Sequence, residues 1–215
     1  MAVPKLRYIV VEGSIASGKS ALSEKLTNYF SALLIKEKPE ENPFLLDFYA
    51  NATNHALAAQ LSFLMQREEA GRAILEADAN NQRVVSDFLL EKDKIFVPIV
   101  LGEKEEKLYW QIKQKVQPTY PTPDLLIYLQ ASDDVLKKRL SKREKNYQEL
   151  FPQGYIEQIH DSYRHFFYLY QHAPMIIANT DELDFVGNED HFGLLIDAIA
   201  NMQGSKLYLN LNTNA

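Results

Sequence analysis

The sequence contains no cysteine among its 215 residues, which excludes disulfide bonds, thiolate metal sites and cysteine nucleophiles. It also lacks long apolar runs. The longest, near LLIYL and MIIA, are far too short to cross a bilayer. Because the segment MAVPKLRYIVVEG has no long apolar stretch, we expect no signal peptide, no membrane partner and a cytoplasmic location.

Positive charge is in short supply, with 23 Lys and Arg against 29 Asp and Glu and a net charge of −6. An acidic surface has no general attraction for nucleic-acid backbones, so we expect no nucleic acid polymer as a partner. A small anionic ligand must instead be bound by a local basic site. The length suits one domain with a sizeable core, and we expect residues 1–215 to form a single domain.

Short apolar runs alternate with helical patterns along the chain. Five runs predict strands: Tyr8–Val11, Ala32–Ile35, Arg83–Ser86, Asp124–Leu129 and Met175–Ala178. Helical patterns cover Ser20–Phe30, Leu57–Ala77, Leu89–Leu101, Glu103–Val116, Asp133–Arg143, Tyr155–Gln171 and Asp190–Met202. Nearly continuous apolar strands suit a parallel sheet that is buried on both faces. The alternation therefore predicts an α/β fold with a parallel five-stranded sheet flanked by helices.

The first predicted strand leads into a glycine-rich loop. Residues 13–20 read G-S-I-A-S-G-K-S, the G-x-x-x-x-G-K-S pattern of a phosphate-binding loop. A chance strand-to-helix turn is the alternative, but here a strand precedes the pattern and a helix follows it. The pattern predicts a three-layer P-loop NTPase-type fold that binds ATP and Mg²⁺. The loop residues assigned to the ATP phosphates are Gly13, Ser14, Ile15, Ala16, Ser17, Gly18, Lys19 and Ser20.

The chemistry of that loop assigns a role to each part. Backbone N–H groups surround phosphate oxygens, and the following helix adds its positive end. Lys19 reaches the outer phosphates, and the hydroxyl of Ser20 ligates Mg²⁺. The loop alone does not decide whether the phosphate goes to water, to a protein or to a small molecule. The guanine-reading N-K-x-D motif of small GTPases is absent from the sequence.

One acid stands where a predicted strand ends. Asp87 follows the run Arg83–Ser86, and the carboxyl end of that strand should face the phosphate loop. A carboxylate there can bind Mg²⁺ through water or take up a proton. The alternative is an N-cap for a helix that starts after it. We favour the metal and catalytic role for Asp87.

Several further segments resemble the deoxyribonucleoside kinase family. They are IVVEGSIASGKS, the acidic EKPEENPFLLDFY, the helix QLSFLMQR, the stretch PTPDLLIYLQASDDVLKKRLSKREK and the late NTDELDFV. Tyr49 and Gln60 are eleven residues apart, and Gln60 and Arg67 are seven apart, as in the family. The resemblance covers most of the chain. It implies transfer of the ATP γ-phosphate to the 5′-hydroxyl of a deoxyribonucleoside, with purines slightly favoured, in nucleotide salvage. It also implies a homodimer.

The resemblance assigns residues to the acceptor. It makes Glu37 the general base that accepts the proton of the 5′-hydroxyl, although Glu40 and Glu41 lie close enough for a different register. It places Tyr49 against the sugar 3′-hydroxyl.

The helix QLSFLMQR is assigned to the base. Gln60 carries a donor and an acceptor on one amide, and Arg67, nearly two turns later, shares its helix face. The resemblance implies that Gln60 reads the base and that Arg67 supports the base and the catalytic acid. Phe63 on this helix and Phe96 further along are also assigned to the nucleoside site. Phe96 could equally belong to the core.

A basic stretch follows the fourth predicted strand. The resemblance implies an arginine-rich lid at about residues 139–150, with Arg139, Arg143 and Lys145 on the transferred phosphates. Arg139 and Arg143 are four residues apart, so one helix face can aim both at one phosphate. The alternative is a solvated basic helix face. Closure of such a lid would neutralise the moving phosphoryl group and exclude water.

The chain departs from the family after the third strand. Family members commonly have an arginine behind the acid there, whereas this chain reads Ser86-Asp87-Phe88. An alignment without a gap places Asp87 under the arginine, and a one-residue deletion places it under the acid, which we favour on chemical grounds. With either alignment the following arginine is missing. Charge in the transition state is therefore expected to rest on Lys19, Mg²⁺ and the lid.

Two other functions stay open at this point. A nucleoside monophosphate kinase of the thymidylate kinase type has a similar strand and lid, but Glu37 would repel the phosphate of its acceptor. A non-catalytic P-loop module that only binds nucleotide would not need Glu37, Tyr49 and Gln60 at these spacings.

Overall fold

The computed structural model of the chain describes residues 6–142 and 154–211. Its strands are β1 (Tyr8–Glu12), β2 (Leu33–Ile35), β3 (Val84–Ser86), β4 (Leu125–Gln130), β5 (Met175–Asn179) and β6 (Lys206–Leu209). Its α-helices are α1 (Lys19–Phe30), α2 (Leu45–Ala50), α3 (Ala52–Ala79), α4 (Asp93–Val100), α5 (Glu103–Val116), α6 (Asp133–Leu140), α7 (Tyr155–Leu169) and α8 (Glu189–Ala200). Short 3₁₀ turns cover Pro39–Glu41 and Leu90–Lys92.

The strands form one parallel sheet in the order β2-β3-β1-β4-β5-β6. This arrangement confirms the predicted α/β fold of the P-loop type. The prediction of five strands is wrong by one, because β6 pairs with β5 through Met175 and Lys206. The sixth strand lies at the sheet edge, and its Tyr208 is 58% exposed. An edge strand need not be apolar throughout, so β6 lacks the continuous apolar run of the other strands.

Both faces of the sheet are covered. Successive strand residues point to opposite faces, and Ile9 and Val10 of β1, each fully buried, belong to different apolar clusters. Ile9 packs with Leu22 and Leu26 of α1. Val10 packs with residues of α3 and α7, such as Ile74. The continuous apolar runs of the sequence thus reflect a sheet between two helical layers. None of the helices in the described ranges is long and apolar enough to cross a membrane.

The prediction of one helix over Leu89–Leu101 differs from the structure in a way that matters for the site. The chain makes a 3₁₀ turn over Leu90–Lys92, and α4 begins only at Asp93. The break is at Glu91, with φ −84° and ψ 15°. It buries Lys92, which is 4% exposed. A regular amphipathic helix would not be expected to bury a lysine at this point.

Candidate functional site

The phosphate loop runs from the end of β1 into α1. At Gly13 a Cβ would lie 2.5 Å from Ser17 Oγ and 2.9 Å from the carbonyl oxygen of Leu129, so a larger residue does not fit. Gly18 has φ +96°, a left-handed conformation that favours glycine. The N–H of Ser17 donates to the carbonyl of Ser14 at 3.2 Å, which closes the turn. The glycines of the motif therefore meet steric requirements of the loop.

A cleft of about 620 Å³ opens beside this loop, between it and the helical layer of α2, α3, α4 and α7. It brings together most of the residues that the sequence assigned to the site. The assigned residues on its wall are Ile15, Ala16, Ser17, Gly18, Lys19, Ser20, Glu37, Tyr49, Gln60, Phe63, Arg67, Asp87 and Phe96. Residues far apart in the chain thus share one cavity with the phosphate loop.

Asp87 joins the loop to the acidic segment. Its Oδ2 accepts a hydrogen bond from the hydroxyl of Ser20 at 2.8 Å. Its Oδ1 accepts one from the backbone N–H of Glu37, also at 2.8 Å. Both oxygens of Asp87 thus serve the cleft rather than the N-terminus of a helix.

The Ser20 and Asp87 pair suits Mg²⁺. Both supply hard oxygen atoms, and Mg²⁺ is usually held by one or two carboxylates together with substrate phosphates and water. Within the described ranges, no three His, Cys, Asp or Glu side chains cluster as an all-protein metal cage. Ser20 and Asp87 are the residues whose chemistry fits a magnesium ion bound together with a nucleotide.

The Glu37 carboxylate lies between two cations. Lys92 Nζ donates to Oε2 at 2.7 Å, and Arg67 Nη2 lies 3.7 Å from Oε1. Burial pushes the pKa of Glu37 upwards, but the charges of Lys92 and Arg67 outweigh burial and hold the pKa below its usual value. Glu37 is therefore ionised at neutral pH. The neighbouring Glu40 and Glu41 are exposed, and Glu41 pairs with Lys38 instead.

Lys92 and Glu12 are site residues that the sequence did not indicate. Lys92 Nζ lies 3.9 Å from Glu12 Oε2, and both residues are buried. Burial raises the pKa of Glu12, whose carboxylate accepts hydrogen bonds from the N–H groups of Gly13 and Leu89. In EKDKIF the exposed Lys94 stands two positions from Lys92, and no pattern in the sequence separates the two lysines.

Lys19 lies at the start of α1, where the cleft meets the loop. Burial lowers the pKa of Lys19, and the charge of Lys92 lowers it further, while Glu12 and Glu37 oppose the shift. A phosphate chain beside Lys19 would supply negative charge that favours the ammonium form.

The far end of the cleft holds the residues assigned to the base. Gln60 and Arg67 are 3% and 2% exposed. Within the described residues, Gln60 Oε1 and Arg67 Nε and Nη1 have no hydrogen-bond partner. Phe63 lies beside Arg67, with 5.4 Å from its ring centroid to the guanidinium carbon. Buried polar atoms without partners are costly in a protein interior, so these atoms point to a polar ligand.

Two aromatic residues complete the acceptor side of the wall. The Phe96 ring packs edge-on against Tyr163, with centroids 6.0 Å apart. Tyr49 contacts Phe48, at 5.5 Å between centroids. Both predicted residues thus border the cleft.

Arg139 lies on the other side of the phosphate loop. Its guanidinium donates to Thr180 Oγ1 at 3.0 Å, to the Thr180 carbonyl at 2.5 Å and to the Ser17 carbonyl at 3.4 Å. It borders a second cavity of about 320 Å³, whose wall includes Gly18 and residues 180–186. The two other lid residues, Arg143 and Lys145, lie outside the described residues.

These features define a class of protein. A parallel β-sheet carries a G-x-x-x-x-G-K-S loop at the end of β1, and an ionised carboxylate lines the same cleft as that loop. This is the architecture of a P-loop phosphotransferase, in which an acceptor binds beside a nucleotide.

The chain belongs to the deoxynucleoside kinase family, whose family model matches residues 9–203. Members of this family are phosphotransferases. The protein is therefore an enzyme that phosphorylates a deoxynucleoside.

Known proteins of similar sequence agree with that assignment, and a solved structure shares the fold. The deoxyguanosine kinase of Bacillus subtilis (strain 168) is 28% identical over 193 residues, which cover 86% of this chain and 92% of that protein. The deoxyadenosine/deoxycytidine kinase of the same strain is 24% identical over 208 residues, covering 93% and 94%. A solved structure of deoxyadenosine kinase from M. mycoides with dCMP and dCDP bound has a TM-score of 0.75 and 22% identity, covering 89% of this chain and 98% of that one. This structural likeness shows a shared fold.

Proposed function

We propose that this protein transfers the γ-phosphate of ATP to the 5′-hydroxyl of purine deoxyribonucleosides, as a step of nucleotide salvage. One observation carries the proposal. The ionised carboxylate of Glu37 lies in the same cleft as the phosphate loop, Lys19 and the unpaired polar atoms of Gln60 and Arg67. A general base in this cleft would be close to both the phosphate donor and the hydroxyl of the acceptor nucleoside.

The proposed reaction uses Glu37 as a general base. The 5′-oxygen forms its bond to the γ-phosphorus while Glu37 takes the hydroxyl proton. The electron pair of the O–H bond stays on the oxygen. The bond from the γ-phosphorus to the β–γ bridging oxygen breaks, and its electron pair leaves with ADP. Lys19 and the N–H groups at the start of α1 stabilise the negative charge that shifts during transfer. Arg143 and Lys145 of the proposed lid would add positive charge that helps to neutralise it.

Mg²⁺ is part of the proposal. Bound with the nucleotide, the ion would neutralise phosphate charge. Ser20 and Asp87 would hold it. Because Asp87 also fixes the backbone of Glu37, the metal-binding residues and the base would keep a constant relation to each other.

The purine preference is supported by the unpaired atoms at the end of the cleft. Arg67 offers donors and Gln60 offers an acceptor, and the outer edge of a purine presents an N7 acceptor beside a donor or acceptor at position 6. Several relatives are named as kinases of deoxyguanosine or deoxyadenosine. Phe63 and Phe96 would contact the faces of the base, and Tyr49 the sugar 3′-hydroxyl.

A direct assay tests the proposal. The protein is incubated with ATP, Mg²⁺ and each of the four deoxynucleosides or their monophosphates, and phosphorylated products are separated. We expect deoxyguanosine or deoxyadenosine to give the highest kcat/KM. The Lys19→Ala variant serves as a control for contaminating kinases. Conversion of monophosphates without conversion of deoxynucleosides would establish the rival monophosphate kinase, and nucleotide binding without any product would establish a non-catalytic module.

We also propose a homodimer that forms through α4 and α7. The groove between these helices is lined by apolar side chains such as Ile95 and Phe166, and Leu169 at the end of α7 is 58% exposed. The family resemblance supports a second copy of the chain as the occupant. Light scattering coupled to gel filtration should give twice the 24.7 kDa of one chain. The Leu169→Glu variant should shift the protein towards the monomer, and a monomeric wild type would contradict the proposal.

A further inference from the structure

Lys92 is a buried cation in the middle of the site. It ends the 3₁₀ turn after β3, and it is 4% exposed. Removing an ammonium group from water is costly unless charged partners surround it. Lys92 has two such partners, Glu37 Oε2 at 2.7 Å and Glu12 Oε2 at 3.9 Å. Lys92 could therefore orient either carboxylate, and the other contacts of Glu12 and Glu37 decide between them.

Glu12 is supplied by other donors. The N–H groups of Gly13 and Leu89 donate to its two oxygens at 2.9 and 2.8 Å, and the hydroxyl of Tyr163 lies 3.4 Å from Oε1. Lys92 lies beyond hydrogen-bond distance from Glu12. The carboxylate of Glu12 is thus oriented without Lys92.

Glu37 has the opposite pattern. Lys92 donates a hydrogen bond to its Oε2, whereas Arg67 lies 3.7 Å from Oε1, too far for a good hydrogen bond. Asp87 holds only the backbone of Glu37. The direction of the carboxylate in the cleft therefore depends on Lys92.

Of the two cations that flank Glu37, Lys92 is the one within hydrogen-bond distance of its carboxylate. No arginine follows Asp87 as it would in the resembled family: Phe88 is next in the chain, and its side chain is buried in an apolar cluster. We propose that Lys92 is the positioning residue of the acceptor site, because its ammonium, delivered by the 3₁₀ turn, aims the Glu37 carboxylate at the acceptor hydroxyl. This inference rests on the proposed role of Glu37 as the base.

A kinetic comparison of three variants tests the first consequence. Lys92→Met keeps the length of the side chain and removes its charge. We expect kcat to fall ~10- to 100-fold because the base is misplaced, while the KM values for ATP and deoxynucleoside stay within ~3-fold. Lys92→Arg restores a charged donor and should recover most of the lost turnover. Lys104→Met, on an exposed lysine of α5, should leave kcat unchanged.

Two double-mutant cycles identify the carboxylate through which Lys92 acts. If Lys92 works by aiming Glu37, the double variant Glu37→Gln/Lys92→Met has the kcat of Glu37→Gln alone, within ~2-fold. In the Glu12→Gln/Lys92→Met cycle the two losses should multiply. The proposal would be overturned if the losses of kcat multiply in the Glu37 cycle, or if the losses in the Glu12 cycle do not multiply. Lys92 would then be a structural counter-charge.

The same variants separate this inference from the proposed function. If Glu37→Gln keeps wild-type turnover, the assigned base is wrong and the inference falls with it. If Glu37→Gln is inactive but Lys92→Met is normal, only the inference is wrong. Should Lys92→Met fail to fold, the cycle between Glu37→Gln and Lys92→Met is run in the Glu12→Gln background, where the buried carboxylate that faces the missing ammonium is also removed.

Discussion

The carboxylate of Asp87 accepts a hydrogen bond from the backbone N–H of Glu37 at 2.8 Å. Asp87 directly follows β3, and Glu37 lies two residues beyond β2, the neighbouring parallel strand. Asp87 also accepts a hydrogen bond from Ser20, so the bond to Glu37 fixes the distance between the proposed magnesium ligands and the proposed base. Changes in either strand end should therefore affect metal use and proton transfer together.

Lys19→Ala should lower turnover by ~10²–10³-fold while the protein stays folded, because Lys19 is the point charge at the outer phosphates. Steady-state kinetics and circular dichroism check both parts. Lys25→Ala is the matched control, since Lys25 lies on the same helix and pairs with Glu189 away from the cleft. Near-normal turnover of folded Lys19→Ala would contradict the phosphate assignment.

Glu37→Gln should cut turnover by ~10²-fold or more, because glutamine keeps the size of the side chain but cannot take the proton. ATP binding, measured by calorimetry, should stay near normal. The exposed Glu40 and Glu41 provide controls through the same change. If one of those variants is inactive while Glu37→Gln is silent, the base has been assigned to the wrong residue of the segment.

Asp87→Asn should raise the Mg²⁺ concentration for half-maximal activity by ~10-fold or more, because an amide is a weaker ligand and cannot fully replace the carboxylate bonds to Ser20 and Glu37. A magnesium titration of activity at saturating ATP measures this. Asp134→Asn, at an exposed position in the first turn of α6, is the control. An unchanged magnesium dependence would remove Asp87 from the metal site.

Arg139→Ala should raise the KM for ATP by about 10-fold, because the expected hydrogen bond from its guanidinium to an ATP phosphate would be lost. Hydrogen bonds to charged groups are worth ~1.5–3 kcal/mol each. The KM for the deoxynucleoside should change little, because Arg139 lies across the loop from the acceptor cleft. Lys138→Ala, one position earlier and exposed, is the comparison. Equal effects on both KM values would argue that Arg139 stabilises the loop as a whole.

His160 should make stability depend on pH. Burial lowers the pKa of His160 from its ordinary 6.5, although Asp133 opposes the shift. As pH falls below about 6.5, His160 becomes protonated in the unfolded chain but stays neutral in the folded protein. The free energy of unfolding therefore decreases. His160→Gln should therefore lose less Tm than wild type between about pH 7.5 and 5.5. Identical Tm losses in wild type and His160→Gln would contradict the prediction.

The fold was largely readable from the sequence because its signals are local. Helix α5 is Glu103–Val116 in both prediction and structure, and each inner strand is a run of buried, mainly apolar residues up to its last position. The edge strand β6 was not counted, since partial exposure weakens its pattern. The short helix α2 was also missed, and its six residues are too few to show a period.

The site was readable only in part. The motif and the family spacing led to Lys19, Glu37 and Gln60, which line one cleft. Lys92 could not be found in this way, because its burial results from a break at Glu91 and from carboxylates on other segments. Tertiary contacts of that kind leave no periodic trace in the sequence.

The arrangement of Glu12 bears on attempts to broaden the range of nucleoside analogues that the enzyme accepts. One carboxylate holds both the first residue of the phosphate loop and Leu89, just before the turn that carries Lys92. Libraries that vary Phe63 and Phe96 reshape the wall of the cleft and leave the hydrogen bonds of Glu12 to Gly13 and Leu89 in place. Libraries that include Glu12 would loosen donor and acceptor halves at once, so selection for a new acceptor should return this position unchanged.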